Sequence, residues 1–255
     1  MNIEFLIELS RRRLVERYIG SSSRILWIIV SPIVPLLISL IVFFYIAKIP
    51  AVTDMGLAEY SLFVFSGLIP FKFIQKATSE GCELIVSNMD MLKSAIFPLP
   101  ILSMSSIGAM VFDLFIQISL LMVIVKFAGR SPHINLLLFP LAILLIFTFS
   151  LGLSWIFSVI GAFARDISEI VLIVFGALIY FTPIMYPSTA TPSSFQTIIL
   201  LNPLTHFVVI FRDCLENNHT PSYLSWFVVS ILAALSILIG KTFIDKAKNY
   251  VGDMV

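Results

Sequence analysis

The sequence predicts an all-α integral membrane protein with six transmembrane helices, an N-terminal amphipathic interface helix, and a re-entrant helical hairpin between helices five and six. Three observations support this fold class. Hydrophobic residues make up 59% of the chain, charged residues only 12%, and the mean hydropathy is +1.03, a composition that excludes a soluble domain. Several apolar runs approach or exceed the roughly 20 residues that span a bilayer. Two further apolar runs, between the fifth and sixth predicted helices, are each too short to cross.

The six long apolar runs define the predicted spans and a single membrane domain that covers residues 1–255. The spans are placed at 26–47, 60–79, 98–125, 134–160, 167–186 and 223–244. Residues 1–25 precede them as the interface helix, spans one to five occupy 26–186, the outer hairpin occupies 187–222, and span six with a cytoplasmic tail occupies 223–255. No internal repeat or separable soluble module is visible in the sequence.

The distribution of basic residues predicts the orientation of the chain. With Lys72 and Lys76 inside span two left out, ten basic residues lie near the termini and in the loops after spans two and four, against four on the opposite side. The ten are Arg11, Arg12, Arg13, Arg17, Arg24, Lys93, Arg165, Lys241, Lys246 and Lys248, and the four are Lys48, Lys126, Arg130 and Arg212. Since cytoplasmic loops carry the excess of lysine and arginine, both termini are expected in the cytoplasm.

Two segments on the predicted cytoplasmic side have the spacing of amphipathic helices. In the first, before span one, apolar residues recur at helical intervals among charged ones: Ile3, Leu6, Ile7, Leu14 and Tyr18. This pattern is typical of a helix lying in the membrane interface, and the alternative is a positively charged anchor for span one. In the second, the loop 80–97, the apolar positions are Ile85, Met89, Leu92 and Ile96. An apolar stripe on a cytoplasmic loop favours docking against a protein surface.

Residues 188–221 are predicted to lie on the outer side as a hairpin. The runs 195–201 and 204–215 are each too short to cross a bilayer, and Asn202 and Pro203 between them read as an N-cap followed by proline at the first helical position. In the second half His206, Arg212 and Asp213 share a polar face. Irregular backbone at membrane depth is tolerated only inside protein or beside water, so the hairpin is expected to pack against the other helices. The alternative is an interfacial helix that covers the outer surface.

These features together resemble the membrane subunit of type-two ABC exporters for polysaccharides and polyol phosphates, the permeases for O-antigen, teichoic acid and capsule. The resemblance covers nearly the whole chain. Its motifs are the basic N-terminus, Ser-Gly-Leu-Ile-Pro-Phe at 66–71, Phe-Ala-Arg-Asp at 163–166, Thr-Pro-Ile-Met-Tyr-Pro at 182–187, Leu-Asn-Pro-Leu-Thr-His at 201–206 and Arg212-Asp213. It implies export of a lipid-linked glycan across the bacterial cytoplasmic membrane by a homodimer with two separate ATPase subunits. By the same resemblance, the residues expected to contact the ATPase are Arg11, Arg12, Arg13, Ile85, Met89, Leu92, Arg165 and Asp166.

The sequence itself agrees that ATP would be hydrolysed by a partner. The Gly-Lys-Thr at 240–242 lies within a span, and Leu235 stands where a phosphate-binding loop needs a glycine. No cofactor is therefore expected in this chain, ATP and Mg²⁺ belonging to the partner ATPase. His206 has no second ligand at metal spacing, so no metal site is expected either. No enzymatic activity and no nucleic-acid partner are predicted.

Six residues in spans two and five are candidates for a substrate path: Phe71, Lys72, Lys76, Phe175, Tyr180 and Phe181. Aromatic faces stack on sugar rings, and the two lysines, one turn apart, suit the phosphates of a lipid-linked substrate. The alternatives are lipid-facing or packing aromatics and lysines that snorkel to the cytoplasmic headgroups.

Two further features of the spans have a structural and a functional interpretation. Asp113 falls near the middle of span three, where a carboxylate costs roughly 3 kcal/mol on insertion scales, and serves either a substrate or proton or a structural hydrogen bond. Ser150, Ser154, Ser158 and Ala162 recur every four residues along span four and predict close helix packing.

Two other function classes are weighed against the exporter. An ion-coupled secondary transporter would need intramembrane charges and paired repeats, and Asp113 is almost alone at depth. A membrane transferase acting on polyprenyl-linked sugars would need clustered carboxylates or basic residues on its loops, and no such spacing is recognised.

Overall fold

The computed structural model describes residues 3–18, 23–89, 99–130, 134–164, 166–215 and 221–253, and these residues form helices without any strand. The α-helices are α1 (Ile3–Tyr18), α2 (Ser23–Ser39), α3 (Pro50–Thr53), α4 (Leu57–Glu83), α5 (Leu99–Phe127), α6 (Phe139–Phe163), α7 (Ile167–Phe181), α8 (Ser193–Leu201), α9 (Pro203–Asp213) and α10 (Tyr223–Asp253). A π-helix, Leu40–Ile46, continues α2, and short 3₁₀ turns occupy Val86–Asn88, Ile134–Leu138 and Ser188–Ala190.

Four of the described helical segments are long and apolar enough to cross a membrane. They are Leu57–Glu83, Leu99–Phe127, Ile134–Phe163 and Tyr223–Ala247, which lie within the second, third, fourth and sixth predicted spans or extend them. The two helices of the predicted hairpin, bent by 88° against each other, would make a fifth span if counted as one. The remaining predicted spans correspond to shorter apolar helices, Ile33–Ile46 and Ile167–Phe181. The chain is therefore a multi-pass membrane protein.

The fifth predicted span is shorter than expected, since α7 ends at Phe181 and not at Tyr186. Proline disfavours helical geometry at the residue before it, and Thr182, which precedes Pro183, is extended with φ −103° and ψ 131°. The sequence Thr-Pro-Ile-Met-Tyr-Pro thus forms an irregular segment at the end of the helix, which becomes the centre of the site described below.

Helix α4 lies at the centre of the fold and packs against α5, α6, α7 and α9. The most extensive helix pair is α6 with α10. These contacts enclose a continuous core in which large side chains are almost completely buried, among them Phe65, Leu68, Ile69, Phe71 and Ile74 of α4. Among the four long helices of the described residues, α4 is thus the least apolar and also the most completely buried.

The predicted small-residue surface of α6 does bring helices close together. Ser150, Ser154 and Ser158 are at most 1% exposed. Gly81 of α4 approaches the backbone of Ser154, where an added Cβ would lie 3.0 Å from the Cα atom. Since small side chains allow backbones to approach in a bilayer, the regular spacing in the sequence correctly predicted this packing.

The predicted cytoplasmic segments pack against the membrane helices. Helix α1 lies along α5, with Ser10 against Gly108, and Arg13 donates a hydrogen bond of 3.2 Å to Asn88. Helix α4 runs on to Glu83, and the 3₁₀ turn follows it directly, so the first part of the 80–97 loop extends span two. Residues 90–98 lie outside the described residues, which leaves the position of Leu92 undefined.

The structure corrects the expectation for Ile85. Its side chain is 1% exposed and packs against Leu99, Val159, Ile244 and Ala247 within the chain itself. An apolar residue at this position thus stabilises the junction of α4, α5, α6 and α10 and offers no surface to a partner. Met89, the next residue of the stripe, is only partly buried beside the same cluster.

Candidate functional site

The irregular segment that follows α7, residues 182–187, is held in place by side chains from distant helices. Because the helix has ended, the backbone carbonyls of this segment no longer accept the hydrogen bonds of a regular helix. A carbonyl without a hydrogen-bond partner in an apolar environment costs free energy. Asn202 donates to the hydroxyl of Thr182 at 2.8 Å and to the carbonyl of Phe181 at 3.3 Å. The hydroxyl of Tyr60, in α4, donates to the carbonyl of Met185 at 2.7 Å.

Arg212 makes the largest number of these contacts. From α9 its guanidinium donates to the carbonyls of Pro183 at 2.8 Å and Ile184 at 3.2 Å, and across to the carbonyl of Phe63 in α4 at 3.0 Å. The guanidinium carbon also lies 3.5 Å from the centroid of the Phe63 ring, in cation–π geometry. Gly67 makes room for it, since an added Cβ would lie 3.0 Å from a guanidinium nitrogen. One side chain thus joins α4, α9 and the irregular segment.

The break between the two hairpin helices has the predicted chemistry. The side-chain oxygen of Asn202 accepts a hydrogen bond from the backbone N–H of Leu204 at 3.0 Å, and Pro203 occupies the first position of α9. This confirms the N-cap and proline arrangement predicted from the sequence. Asn202 therefore has two roles: it starts α9 and it anchors the end of α7.

Two polar side chains of α9, Asp213 and His206, form hydrogen bonds to α10 and the residue before it, and His206 also bonds to α8. Asp213 accepts hydrogen bonds from the backbone N–H of Ser222 at 2.8 Å and from the indole N–H of Trp226 at 3.0 Å. The ring nitrogens of His206 lie 3.1 Å from the Ser225 hydroxyl and 3.0 Å from the Leu200 carbonyl. Within the described ranges no group of three histidine, cysteine or acidic side chains is placed to hold a metal ion.

Helix α9 is buried on both faces, although its sequence pattern predicted one polar face. On one side Phe207 packs on Phe149 and Phe211 on Phe139, with ring centroids 4.5 Å and 4.7 Å apart. On the other side Thr205, His206 and Asp213 are each less than 10% exposed. The polar face therefore points into protein, where His206 and Asp213 form the hydrogen bonds described above. The burial of α9 fits the expectation for the second half of the predicted hairpin, whereas in α8 only Ile199 of the nine residues is buried.

Two cavities adjoin the Arg212–Phe63 contact. One, of about 340 Å³, lies between α4, Arg130 and the end of α9. Here Arg130 pairs with Glu59 at 2.6 Å and donates to the carbonyl of Leu215 at 3.2 Å. The other, of about 390 Å³, lies between the irregular segment and the hairpin, and we call it the hairpin cavity. Both are lined by Phe63 and Arg212, so this pair separates them.

In the other half of α4, Lys76 forms an ion pair with Asp113 of α5 at 2.5 Å. Glu80 lies 3.9 Å from the same ammonium group and accepts a hydrogen bond from Ser106 at 3.1 Å. Asp113 is 6% exposed, so its charge needs this compensation. The arrangement matches the structural alternative for Asp113, a polar link between neighbouring helices. Lys72, one turn away, donates to the side chain of Gln75 at 2.9 Å.

Replacing Lys76 by methionine is expected to lower the thermal stability of the protein in nanodiscs, because Asp113 and Glu80 would lose the cation between them. Breaking a buried pair costs about 3–5 kcal/mol, and we expect about 1–3 kcal/mol here because the Lys76 side chain is 41% exposed. The double variant Lys76→Met with Asp113→Leu should recover most of the loss. A double variant less stable than Lys76→Met alone would contradict the pairing.

The aromatic candidates for a substrate path divide into two groups. Phe71 and Phe175 are 1% and 8% exposed and pack edge to face on each other, with centroids 5.8 Å apart. This corrects the expectation that they line a path, since they connect α4 to α7 in the core. Tyr180 and Phe181 are 65% and 45% exposed on the surface of the single chain. Among the described residues, Lys76 forms an ion pair with Asp113, whereas Lys72 hydrogen-bonds to the neutral side chain of Gln75.

Of the eight residues expected to contact an ATPase, six are described by the structure and three of these are exposed. Arg11 and Arg12 are exposed on α1, and Arg13 is partly buried beside Asn88. Asp166 is exposed at the N-cap position of α7. Arg165 falls outside the described residues, as Leu92 does.

Sequence reasoning missed several residues of the site. Tyr60, Thr182 and Gly67 were part of noted spans or motifs, but nothing in their local pattern showed that they serve Arg212 and the irregular segment. The signal available was the pair of prolines at 183 and 187, because a helix end rich in proline leaves carbonyls that other groups must satisfy.

Comparison with known proteins identifies the family. Residues 5–215 match the family described as ABC-2 type transporter. The chain is 25% identical over 249 residues to an O-antigen export system permease protein, RfbA, of Klebsiella pneumoniae, a match covering 96% of this chain and 92% of the relative. An RfbA of Myxococcus xanthus is 27% identical over 218 residues, covering 85% and 82%. A polysialic acid transport protein, KpsM, of Escherichia coli is 26% identical over 217 residues, covering 84% and 82%.

The family match extends from α1 through the hairpin to Leu215 and so includes every contact of Arg212 described above. It agrees with the helical, multi-pass architecture and with the resemblance found in the motifs. The chain belongs to the ABC-2 type transporter family, as a membrane-spanning permease.

Proposed function

We propose that the chain is the transmembrane subunit of an ATP-driven ABC exporter that moves a lipid-linked polysaccharide of the O-antigen type across the cytoplasmic membrane. The observation that carries this proposal is the similarity, over 96% of the chain, to a relative named as an O-antigen export permease. The chain is a transport permease and not an enzyme, and its ATPase is a separate subunit.

The cargo has an alternative within the same class. The similarity to a polysialic acid transport protein makes an acidic capsule-like polymer the alternative cargo, together with a teichoic acid. All of these are long polymers with a hydroxyl-rich repeating unit. A membrane transferase finds no support in the described residues, where the paired Asp113, Lys76 and Glu80 hold helices together.

The topology we propose has six spans, both termini in the cytoplasm, an N-terminal interface helix and an outer re-entrant hairpin at 187–222, all within one domain of residues 1–255. Two short apolar helices, Ile33–Ile46 and Ile167–Phe181, supply the first and fifth spans. The 88° bend at Asn202 supports a hairpin that enters and leaves on one face, because neither arm alone reaches across a bilayer.

The assembly we propose is a homodimer with two copies of a nucleotide-binding ATPase subunit. Exposed apolar residues on α7, including Leu172, Ile173 and Val174, offer a surface to lipid or to a second copy. The ATPase would contact Arg11, Arg12 and Arg13 of α1. It would also contact Met89 and Leu92 in the loop after span two, and Arg165 and Asp166 in the loop after span four. Tyr180, Phe181 and Lys72 remain our candidates for the substrate path.

The assembly is tested by affinity purification of the chain from its host cells, with identification of any nucleotide-binding ATPase subunit that it recovers. We expect the ATPase to co-purify, and the double charge reversal Arg11→Glu with Arg12→Glu to reduce its recovery by about tenfold or more, since surface charges steer and orient partners. The reversal Lys48→Glu, on the predicted outer side, is the matched control and should leave recovery unchanged. Failure of the unaltered chain to recover any ATPase would contradict the proposed function.

A further inference from the structure

The hairpin cavity has a mixed lining that distinguishes it from a packing defect. Its floor is formed by buried residues such as Pro183, Ile199 and Thr205, while Ser188, Thr189 and Gln196 are exposed at its mouth. Aliphatic walls come from Ile199, Leu200 and Val209. A volume of about 390 Å³ falls in the range of small-molecule sites, which combine apolar walls with a few placed polar groups.

The charged residues that line the cavity are already engaged by the protein. The guanidinium of Arg212 is used by the carbonyls of Phe63, Pro183 and Ile184. The carboxylate of Asp213 is used by Ser222 and Trp226. The groups left to face a ligand are hydroxyls and the side-chain oxygen of Gln196, whose amide nitrogen donates to the Thr191 carbonyl at 3.2 Å. These groups favour a neutral hydrogen-bonding ligand over an anion or a cation.

Thr205 supplies the observation that points directly to a ligand. Its residue is 3% exposed and lines the cavity, yet within the described parts of the chain its side-chain oxygen has no hydrogen-bond partner. A buried hydroxyl without a partner costs about 1–3 kcal/mol. Threonine in a helix has two accessible χ1 rotamers about 120° apart, so a change of rotamer redirects its hydroxyl group.

We propose that the hairpin cavity binds one neutral sugar ring of the exported chain as it leaves the permease, with the hydroxyl of Thr205 hydrogen-bonded to it. A pyranose ring has an apolar C–H face, which matches Ile199 and Val209, and a hydroxyl edge, which matches Thr205 and Gln196. The inference rests on the proposed function, because the sugar is that of the polymer that the exporter carries.

The sharpest test is the substitution Thr205→Val, which removes the hydroxyl and keeps the shape. If the hydroxyl binds sugar, export of the polymer in cells should fall about threefold to tenfold, the value of one hydrogen bond, while thermal stability stays equal or rises. The conservative variant Thr205→Ser should restore export. Val209→Phe, which fills the cavity, should also reduce export.

Binding itself is measured by saturation-transfer NMR on the permease–ATPase complex in nanodiscs, with methyl galactoside as a neutral probe and galacturonate as an anionic one. We expect saturation transfer to methyl galactoside and not to galacturonate. The transfer should be lost in Thr205→Val and absent in empty nanodiscs. Normal export together with raised stability in Thr205→Val would overturn the cavity assignment and leave the proposed function intact. Absence of export by the unaltered complex would instead overturn the proposed function.

Discussion

Replacing Arg212 by methionine is expected to lower the free energy of unfolding by about 2–4 kcal/mol and to abolish export. The variant would leave the carbonyls of Phe63, Pro183 and Ile184 without their donor, and hydrogen bonds from a charged group are worth about 1.5–3 kcal/mol. Export should fail because the irregular segment loses its link to α4 and α9. Thermal unfolding in nanodiscs and polymer export in cells measure the two effects.

Arg212→Lys is the matched control, because it keeps the charge but loses the planar fork of donors. We expect a stability between those of the unaltered protein and Arg212→Met, since an ammonium group cannot reach all three carbonyls in the same geometry. If Arg212→Met melts at the unaltered temperature and still exports polymer, the structural role given to Arg212 is wrong.

Among glycine-to-alanine substitutions in the described residues, Gly161→Ala is expected to lower the stability of the protein most. A Cβ at this position would collide with the backbone carbonyl of Cys82 in α4, and a backbone atom cannot move aside as a side chain can. Overpacking of this kind costs about 1–3 kcal/mol, and the shift of α6 away from α4 would disturb the whole core. A reduced Tm and a lower amount of folded protein in the membrane are the expected results.

Gly176→Ala is the control for Gly161→Ala, because beyond the adjoining backbone of α7 itself no atom of the described residues lies within 4 Å of the added Cβ. Alanine is favoured over glycine in a helix by about 1 kcal/mol, so this variant should be equally or more stable than the unaltered protein. Equal effects of the two substitutions would show that helix propensity, and not the contact with Cys82, decides the outcome.

Features that depend on local sequence were predicted well. The start of α9 at Asn202 and Pro203 follows from capping chemistry within three residues. The close approach of α6 to its neighbours follows from the four-residue spacing of its serines. The end of α7 at Phe181 was also encoded locally by Pro183, and the predicted span ran too far only because apolar character continues past the helix.

Features that depend on distant contacts could not be predicted in this way. The acceptors of Arg212 lie between 28 and 149 residues away and are backbone carbonyls, which carry no side-chain signal. Lys76 and Asp113 are 37 residues apart, and each looks like an isolated charge until the helices are packed together. For the same reason, the sequence could not distinguish buried Phe71 and Phe175 from exposed Tyr180 and Phe181.

Translocation of a lipid-linked glycan by the purified permease and its ATPase tests directly whether the chain belongs to an ATP-driven exporter. Proteoliposomes would carry the chain and its ATPase, with a labelled lipid-linked glycan in the outer leaflet on the side of the ATPase. If the chain is an ATP-driven exporter, added ATP makes the glycan resistant to an external glycan-cleaving enzyme, and an ATPase subunit unable to hydrolyse ATP prevents this. Protection that develops without ATP, or only under a proton gradient, would show that the chain is not the subunit of an ATP-driven exporter.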